Sequence, residues 1–112
     1  AINIGGRKVD AAEVRNVLLT CAGVDDAAVF SAEKPNGDPM LVAAVAGSAV
    51  PAVDRLRAHC GQGLAAYKIP ERLLVLDELP RTTLGKVRMA ALRDLVTAGE
   101  PAGAGRTEQG RG

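Results

Sequence analysis

Apolar residues recur along this chain in two periods, and the switches between them mark out its elements. Ile2, Ile4 and Val9 flank Gly5-Gly6, which predicts two short strands reversed at a glycine pair tolerant of positive φ. Asp10-Ala11-Ala12-Glu13 then reads as a helix start, with Asp10 as cap and Glu13 reaching back as in a capping box. Val14, Val17, Leu18 and Cys21 follow at helical spacing, and Gly23 is the expected stop.

The pattern next becomes continuously apolar. Val24 to Ser31 and Met40 to Ala46 predict two strands, and Pro35-Asn36-Gly37-Asp38 between them has the chemistry of a hairpin turn. Gly47-Ser48 closes the second strand, and Pro51 suits the first turn of a helix. Val53, Leu56 and Cys60 share one face of that helix, which Gly61 and Gly63 are expected to end. A connector from Leu64 to Pro70 leads to an apolar strand over 72–77. Residues 81–86 form a polar loop, and Met89 to Val96 a short helix with Leu92, Leu95 and Val96 inward. From Thr97 to Gly112 no periodicity remains, so 1–96 is expected to be the folded domain and 97–112 a flexible tail. The order of elements predicts an α+β fold: a small three-stranded mixed or antiparallel sheet with helices packed on it, plus an N-terminal β-hairpin.

Composition narrows the function classes. The chain has 112 residues and 47% hydrophobic content, one domain with a modest core. Aromatic residues are 2%, Phe30 and Tyr67 alone, so the core must be aliphatic. Fourteen Lys and Arg against 13 Asp and Glu give a net charge of +1. With so few aromatics and no basic excess, nucleic acid is not an expected partner. No apolar run approaches the ~20 residues of a membrane span, and no secretory leader is recognisable, so a cytoplasmic location is expected. Cys21 and Cys60 lie far apart without metal-ligand spacing, and His59 beside Cys60 does not complete a site. Two buried thiols and no metal are expected. The strand-like start at Ala1 suggests a cut within a larger protein, although a discrete short protein that has lost its initiator Met stays open.

Two loops concentrate candidate chemistry. Gly5-Gly6-Arg7-Lys8 joins glycines that let backbone approach a ligand to two cations, or is a plain hairpin turn with solvated basic residues. It is not a dinucleotide fingerprint, because no G-x-G-x-x-G opens a helix. Arg81-Thr82-Thr83-Leu84-Gly85-Lys86-Val87-Arg88 gathers three cations, two hydroxyls and a glycine. A lysine at a glycine turn suits an anionic ligand, since its ammonium is a compact three-donor charge. The loop lacks the first glycine and the hydroxyl of a Walker A motif, and could equally be an exposed polar loop.

Taken together and in this order, the loops resemble the C-terminal lid domain of the ANL superfamily of adenylate-forming enzymes. Ile2 to Val14 is similar to the glycine-containing segment after that family's hinge, and Gly23-Val24-Asp25-Asp26-Ala27-Ala28-Val29 to its next strand. Leu64 to Arg72 and Leu79 to Val87 resemble its final motif, which ends in the catalytic lysine. The resemblance covers about residues 1–96 and implies a mobile lid of an ATP-dependent acid–thiol ligase. It implies Lys86 as the catalytic lysine of acyl-adenylate formation, with Thr82, Thr83 and Gly85 supporting its loop. It implies Gly5 and Gly6 lining a pantetheine tunnel during thioester formation, with Arg7 and Lys8 near CoA phosphates. ATP and Mg, bound mostly by a large N-terminal domain in cis or in trans, and CoA or the phosphopantetheine of an acyl carrier protein are the implied cofactors and partners. A lysine acetyltransferase acting on Lys86 is implied by analogy with relatives. A stand-alone protein acting in trans, or a regulatory module without activity, remains the alternative.

Overall fold

In a computed structural model, residues 1–97 and the backbone of Arg106–Thr107 are described. Strands β1 (Ile2–Ile4) and β2 (Arg7–Val9) pair antiparallel as the expected N-terminal hairpin. Helix α1 (Ala11–Leu19), strands β3 (Asp26–Glu33) and β4 (Pro39–Ala46), helix α2 (Val53–Gly63), a 3-10 turn (Ala66–Lys68), strand β5 (Arg72–Leu76) and helix α3 (Met89–Thr97) follow. The short strand β6 (Arg106–Thr107) lies antiparallel on β5. Most of the expected tail lies outside the described residues, while Thr97 completes α3.

The central sheet is mixed. β3 and β4 form the expected hairpin, in register from Asp26 with Ala46 to Glu33 with Pro39. β4 and β5 run parallel, because α2 carries the chain back before β5 begins. Alternation along the strands divides the core between two faces. Ala27, Val29, Leu41, Ala43, Val45 and Leu73 face the cluster that holds Val14 and Leu18 of α1 and Leu56 and Cys60 of α2. Ala28, Phe30, Val42, Ala44 and Leu74 face Leu92 and Val96 of α3. Helices cover both faces, which is why β3 and β4 read as unbroken apolar runs rather than alternating ones. Burying each Leu or Val side chain contributes about 1.5–3 kcal/mol. Phe30 is 2% exposed, so one of the two aromatics belongs to the core.

Several boundaries differ from the expectation for physical reasons. β3 starts and ends two residues later than expected, since Glu33 still pairs with Pro39. α1 stops at Leu19, where Thr20 caps it, and Gly23 sits in the following turn at φ 94°. Of the two glycines expected to end α2, Gly61 lies inside the helix while Gly63 is its last residue, and the Leu64 N–H closes the end on the Cys60 carbonyl. Pro51 precedes the helix, whose cap residue is Ala52. Only half of the expected capping box forms. The Asp10 carboxylate accepts from the Ala12 N–H at 2.9 Å, but Glu13 turns away to accept from Lys68 Nζ at 2.9 Å. A full cation from the 3-10 turn attracts the carboxylate more strongly than a neutral N–H does.

Among the described glycines, one crossing is tighter than any other contact. A Cβ on Gly23 would lie 2.1 Å from the Ala49 carbonyl oxygen, and one on Gly47 would lie 2.2 Å from the Gly23 carbonyl oxygen. The turn after α1 and the turn after β4 therefore touch backbone to backbone, immediately before Asp25-Asp26 enters β3.

Candidate functional site

The first glycine turn is open to solvent. Gly5 and Gly6 hold φ of 58° and 84°, and the Gly6 N–H donates to the Asn3 side-chain oxygen at 3.1 Å. Among the described residues no atom lies within 4 Å of a Cβ built on either glycine, so both are required there by backbone conformation and not by crowding. Lys8 is exposed, whereas Arg7 is spoken for: its guanidinium lies 4.6 Å from the centre of the Tyr67 ring. Lys68, beside Tyr67, pairs with Glu13. That acceptor raises the Lys68 pKa above the ordinary lysine value, with burial opposing it. The hairpin is thus tied to the 3-10 turn through the ring of Tyr67, in the segment expected to be a connector.

The second loop is a closed finger. The Thr82 N–H donates to the Lys86 carbonyl at 2.8 Å, and the Gly85 N–H to the Thr82 carbonyl at 2.9 Å. The Thr82 hydroxyl oxygen accepts from the N–H groups of Leu84 and Lys86, both at 3.2 Å. Gly85 takes φ 91°, which a side chain would strain. At the base, Arg81 bridges Val87, and the Arg88 N–H donates to the Pro80 carbonyl at 2.8 Å. Among the described residues, Thr82 and Gly85 make bonds within the loop, while no side-chain hydrogen bond of Thr83 is formed. Lys86 is exposed, and no ion pair or side-chain hydrogen bond among the described residues engages its ammonium. Leu84, at the tip, is 89% exposed.

The finger is also fastened to the sheet. Arg81 donates from one terminal nitrogen to the Gly85 carbonyl at 2.6 Å and from the other to the Asp26 carboxylate. Asp26 is the first residue of β3, so this link spans 55 positions of sequence. Beside it opens a cleft of about 580 Å³, with Asp25, Gly47, Asp77 and Glu78 in its walls. The two glycine turns do not meet: the first is linked to the chain entering β5, the second follows the chain leaving it.

The remaining candidates are structural. Cys60 is buried, and burial pushes its thiol pKa up, partly offset by Arg57. Cys21 is only half-buried, so of the two thiols expected to be buried Cys60 alone is; Cys21 lies just past the end of α1. His59 Nε2 lies 3.0 Å from the Val17 carbonyl and 2.8 Å from the Thr20 hydroxyl, at the C-terminus of α1. Among the described residues no three His, Cys, Asp or Glu side chains gather as a metal site, and no helix is long and apolar enough to cross a membrane.

Comparison with known proteins places this geometry. Residues 13–86 match the AMP-binding enzyme C-terminal domain. The chain is 40% identical over 98 residues to 2,3-dihydroxybenzoate-AMP ligase of Bacillus subtilis, covering 86% of itself and 18% of that protein. Its fold superposes with a TM-score of 0.73 on o-succinylbenzoate CoA synthetase of Bacillus subtilis, at 33% identity over 83% of this chain and 19% of the other. A four-domain nonribosomal peptide synthetase bound to AMP and glycine gives a TM-score of 0.76 at 31% identity, over 81% of this chain and 7% of that one. The chain spans less than a fifth of the length of these relatives. With strands β3 to β5 and the finger up to Lys86 falling within the matched residues 13–86, this chain belongs to the AMP-binding enzyme C-terminal domain family, the C-terminal part of adenylate-forming enzymes of the ANL superfamily.

Proposed function

We propose that this chain is the mobile lid of an ATP-dependent carboxylic acid–thiol ligase, working with a large N-terminal adenylation domain. The observation that carries the reading is the presentation of Lys86: an exposed ammonium, without an ion-pair partner among the described residues, on a closed, glycine-dependent finger. Such a group is ready to meet an anion that no other described residue supplies. In acyl-adenylate formation, the acid's carboxylate attacks the α-phosphate of ATP and pyrophosphate leaves. Negative charge develops between the two reacting groups, and the Lys86 ammonium would bridge them. A positioned donor of this kind is worth about 10²–10³ in rate, ~3–4 kcal/mol. Magnesium would be held with the nucleotide by the large domain.

In the second half-reaction a thiol of CoA or of a carrier protein's phosphopantetheine attacks the acyl carbonyl and AMP leaves. Gly5 and Gly6 would line the path of that thiol arm, where the open space beside both glycines favours a close approach. Lys8 would be the free cation for CoA phosphates, whereas Arg7 is already stacked on Tyr67. Acetylation of Lys86 would remove the charge that the first step requires.

The test is Lys86→Ala in the ligase with its large domain present. Acyl-AMP formation, followed by pyrophosphate exchange, should fall at least about 100-fold. Thioester formation from supplied acyl-AMP should persist. Equal loss of both half-reactions would refute the assignment of Lys86.

A further inference from the structure

We infer that Arg81 is a positioning residue for Lys86, and that Asp26 is its anchor. The inference rests on the proposed role of Lys86 and adds the device that aims it. The bonds within residues 82–86 fix the shape of the finger, but every one of them is internal to it. They would survive a swing of the whole turn about its base. Arg81 is the group that ties this turn to the sheet. One terminal nitrogen holds the carbonyl of Gly85, the residue immediately before Lys86, and the other holds the carboxylate of Asp26.

Asp26 is a firm anchor. It opens β3, pairs with Ala46 of β4, and its second carboxylate oxygen accepts from the Ala27 N–H at 3.0 Å. The Asp25 N–H beside it donates to the Ala46 carbonyl at 2.9 Å. The Asp26 side chain is 26% exposed and that of Arg81 40%. A pair this open adds little to global stability, so its consequence is local: where Lys86 sits relative to the rigid sheet. The task also calls for arginine. A planar fork presents two donors at once, one for a carbonyl and one for a carboxylate, while a lysine's single ammonium cannot hold both groups in this geometry.

The experiment compares Arg81→Ala, Arg81→Lys and Asp26→Ala with Lys86→Ala in the ligase containing this domain. Four readouts are taken: kcat and KM for acyl-AMP formation, thioester formation from supplied acyl-AMP, the unfolding midpoint, and residual dipolar couplings of the Gly85 and Lys86 N–H groups, which report their orientation relative to the sheet. The expected result for all three clamp variants is a loss of about ten- to 100-fold in kcat for acyl-AMP formation, as for a catalytic group displaced by about 1 Å. KM for ATP and thioester formation should change less than about threefold, and the Gly85 and Lys86 couplings should shift or average toward zero, while those of β3 stay as in wild type, without a fall in the midpoint. Wild-type activity in Arg81→Lys would overturn the inference, because charge alone would then suffice. So would unchanged Gly85 and Lys86 couplings in Arg81→Ala, or matching losses in both half-reactions accompanied by a lower midpoint. If Lys86→Ala itself kept acyl-AMP formation, the proposed function would fail, and the coupling readout would still decide whether Arg81 and Asp26 hold the finger.

Discussion

The backbone crossing between Gly23 and Gly47 allows two kinds of glycine requirement to be separated by measurement. Gly5 has a positive φ of 58° and open space beside it, so Gly5→Ala carries conformational strain alone, about 1–2 kcal/mol. Gly47 is outside the left-handed region, but its Cβ would meet the Gly23 carbonyl oxygen at 2.2 Å, with Asp25 N and Val50 Cγ2 at 3.2 Å. Gly47→Ala therefore carries crowding alone, about 1–3 kcal/mol if the two turns can separate. Gly23 combines φ +94° with a Cβ 2.1 Å from the Ala49 carbonyl oxygen and 2.9 Å from its carbon. Gly23→Ala should cost about 2–5 kcal/mol, the sum of both effects. That is a large share of the roughly 5–15 kcal/mol that holds a domain together. Urea unfolding followed by far-UV circular dichroism suits a chain with no Trp and one Tyr. Gly23→Ala should be the least stable of the three, near the sum of the other two. A Gly23→Ala cost no greater than that of Gly5→Ala would refute the claim that the turns are in backbone contact.

Three further outcomes are expected. Gly6→Val should slow thioester formation much more than acyl-AMP formation, measured as separate half-reactions; equal rates of thioester formation would remove Gly6 from the thiol path. At neutral pH a small alkylating reagent should label half-buried Cys21 well before Cys60, whose burial disfavours the thiolate, and mass spectrometry after partial labelling would reveal the reverse order if it occurred. The Lys68 pKa is raised in the fold, so the stability its pairing with Glu13 contributes is fully present below about pH 10 and lost as pH climbs through the raised value. The stability difference between wild type and Glu13→Gln should accordingly be flat at neutral pH and shrink under alkaline conditions; a difference that grew with pH would contradict the pairing.

The legible parts of the fold are those written in short-range pattern. Ile2 to Val9 announces its hairpin because the period, the glycine pair and the pairing all lie within eight residues. The β3–β4 hairpin is legible for the same reason, with Lys34 and Asp38 joined by a backbone bond of 2.8 Å around its turn. Helix ends are less legible because tertiary packing overrides local preference. Gly61 lowers the intrinsic helix propensity, yet α2 continues through it to Gly63 while Leu56 and Cys60 hold its inner face in the core. Glu13 had a good local partner in the capping box and took a better one that arrives from position 68.

The candidate site divides along the same line, and its division says what each residue type can reveal. Gly85 and Lys86 stand adjacent, and a glycine beside a lysine in a polar loop is visible in one reading of the chain. Arg81 stands in the same loop and looks equivalent to Arg88, another arginine flanking the turn. Nothing local separates them: Arg88 contributes a backbone N–H to the base of the finger, while Arg81 spends both ends of its guanidinium holding Gly85 and Asp26. The difference arises only when β3 and the chain after β5 are brought to the same end of the sheet, which the parallel pairing of β4 with β5 accomplishes. A parallel neighbour sends the chain out of β5 beside the end of β4, and the antiparallel β3 begins at that same edge, so Asp26 is placed where Arg81 can reach it. Tyr67 follows the same logic at the opposite end, where the chain entering β5 meets the N-terminal hairpin and the ring receives Arg7. The topology thus selects which of several similar cations stay free. Arg7 and Arg81 become parts of the scaffold, whereas the exposed Lys8 and Lys86 have no ion-pair partner among the described residues.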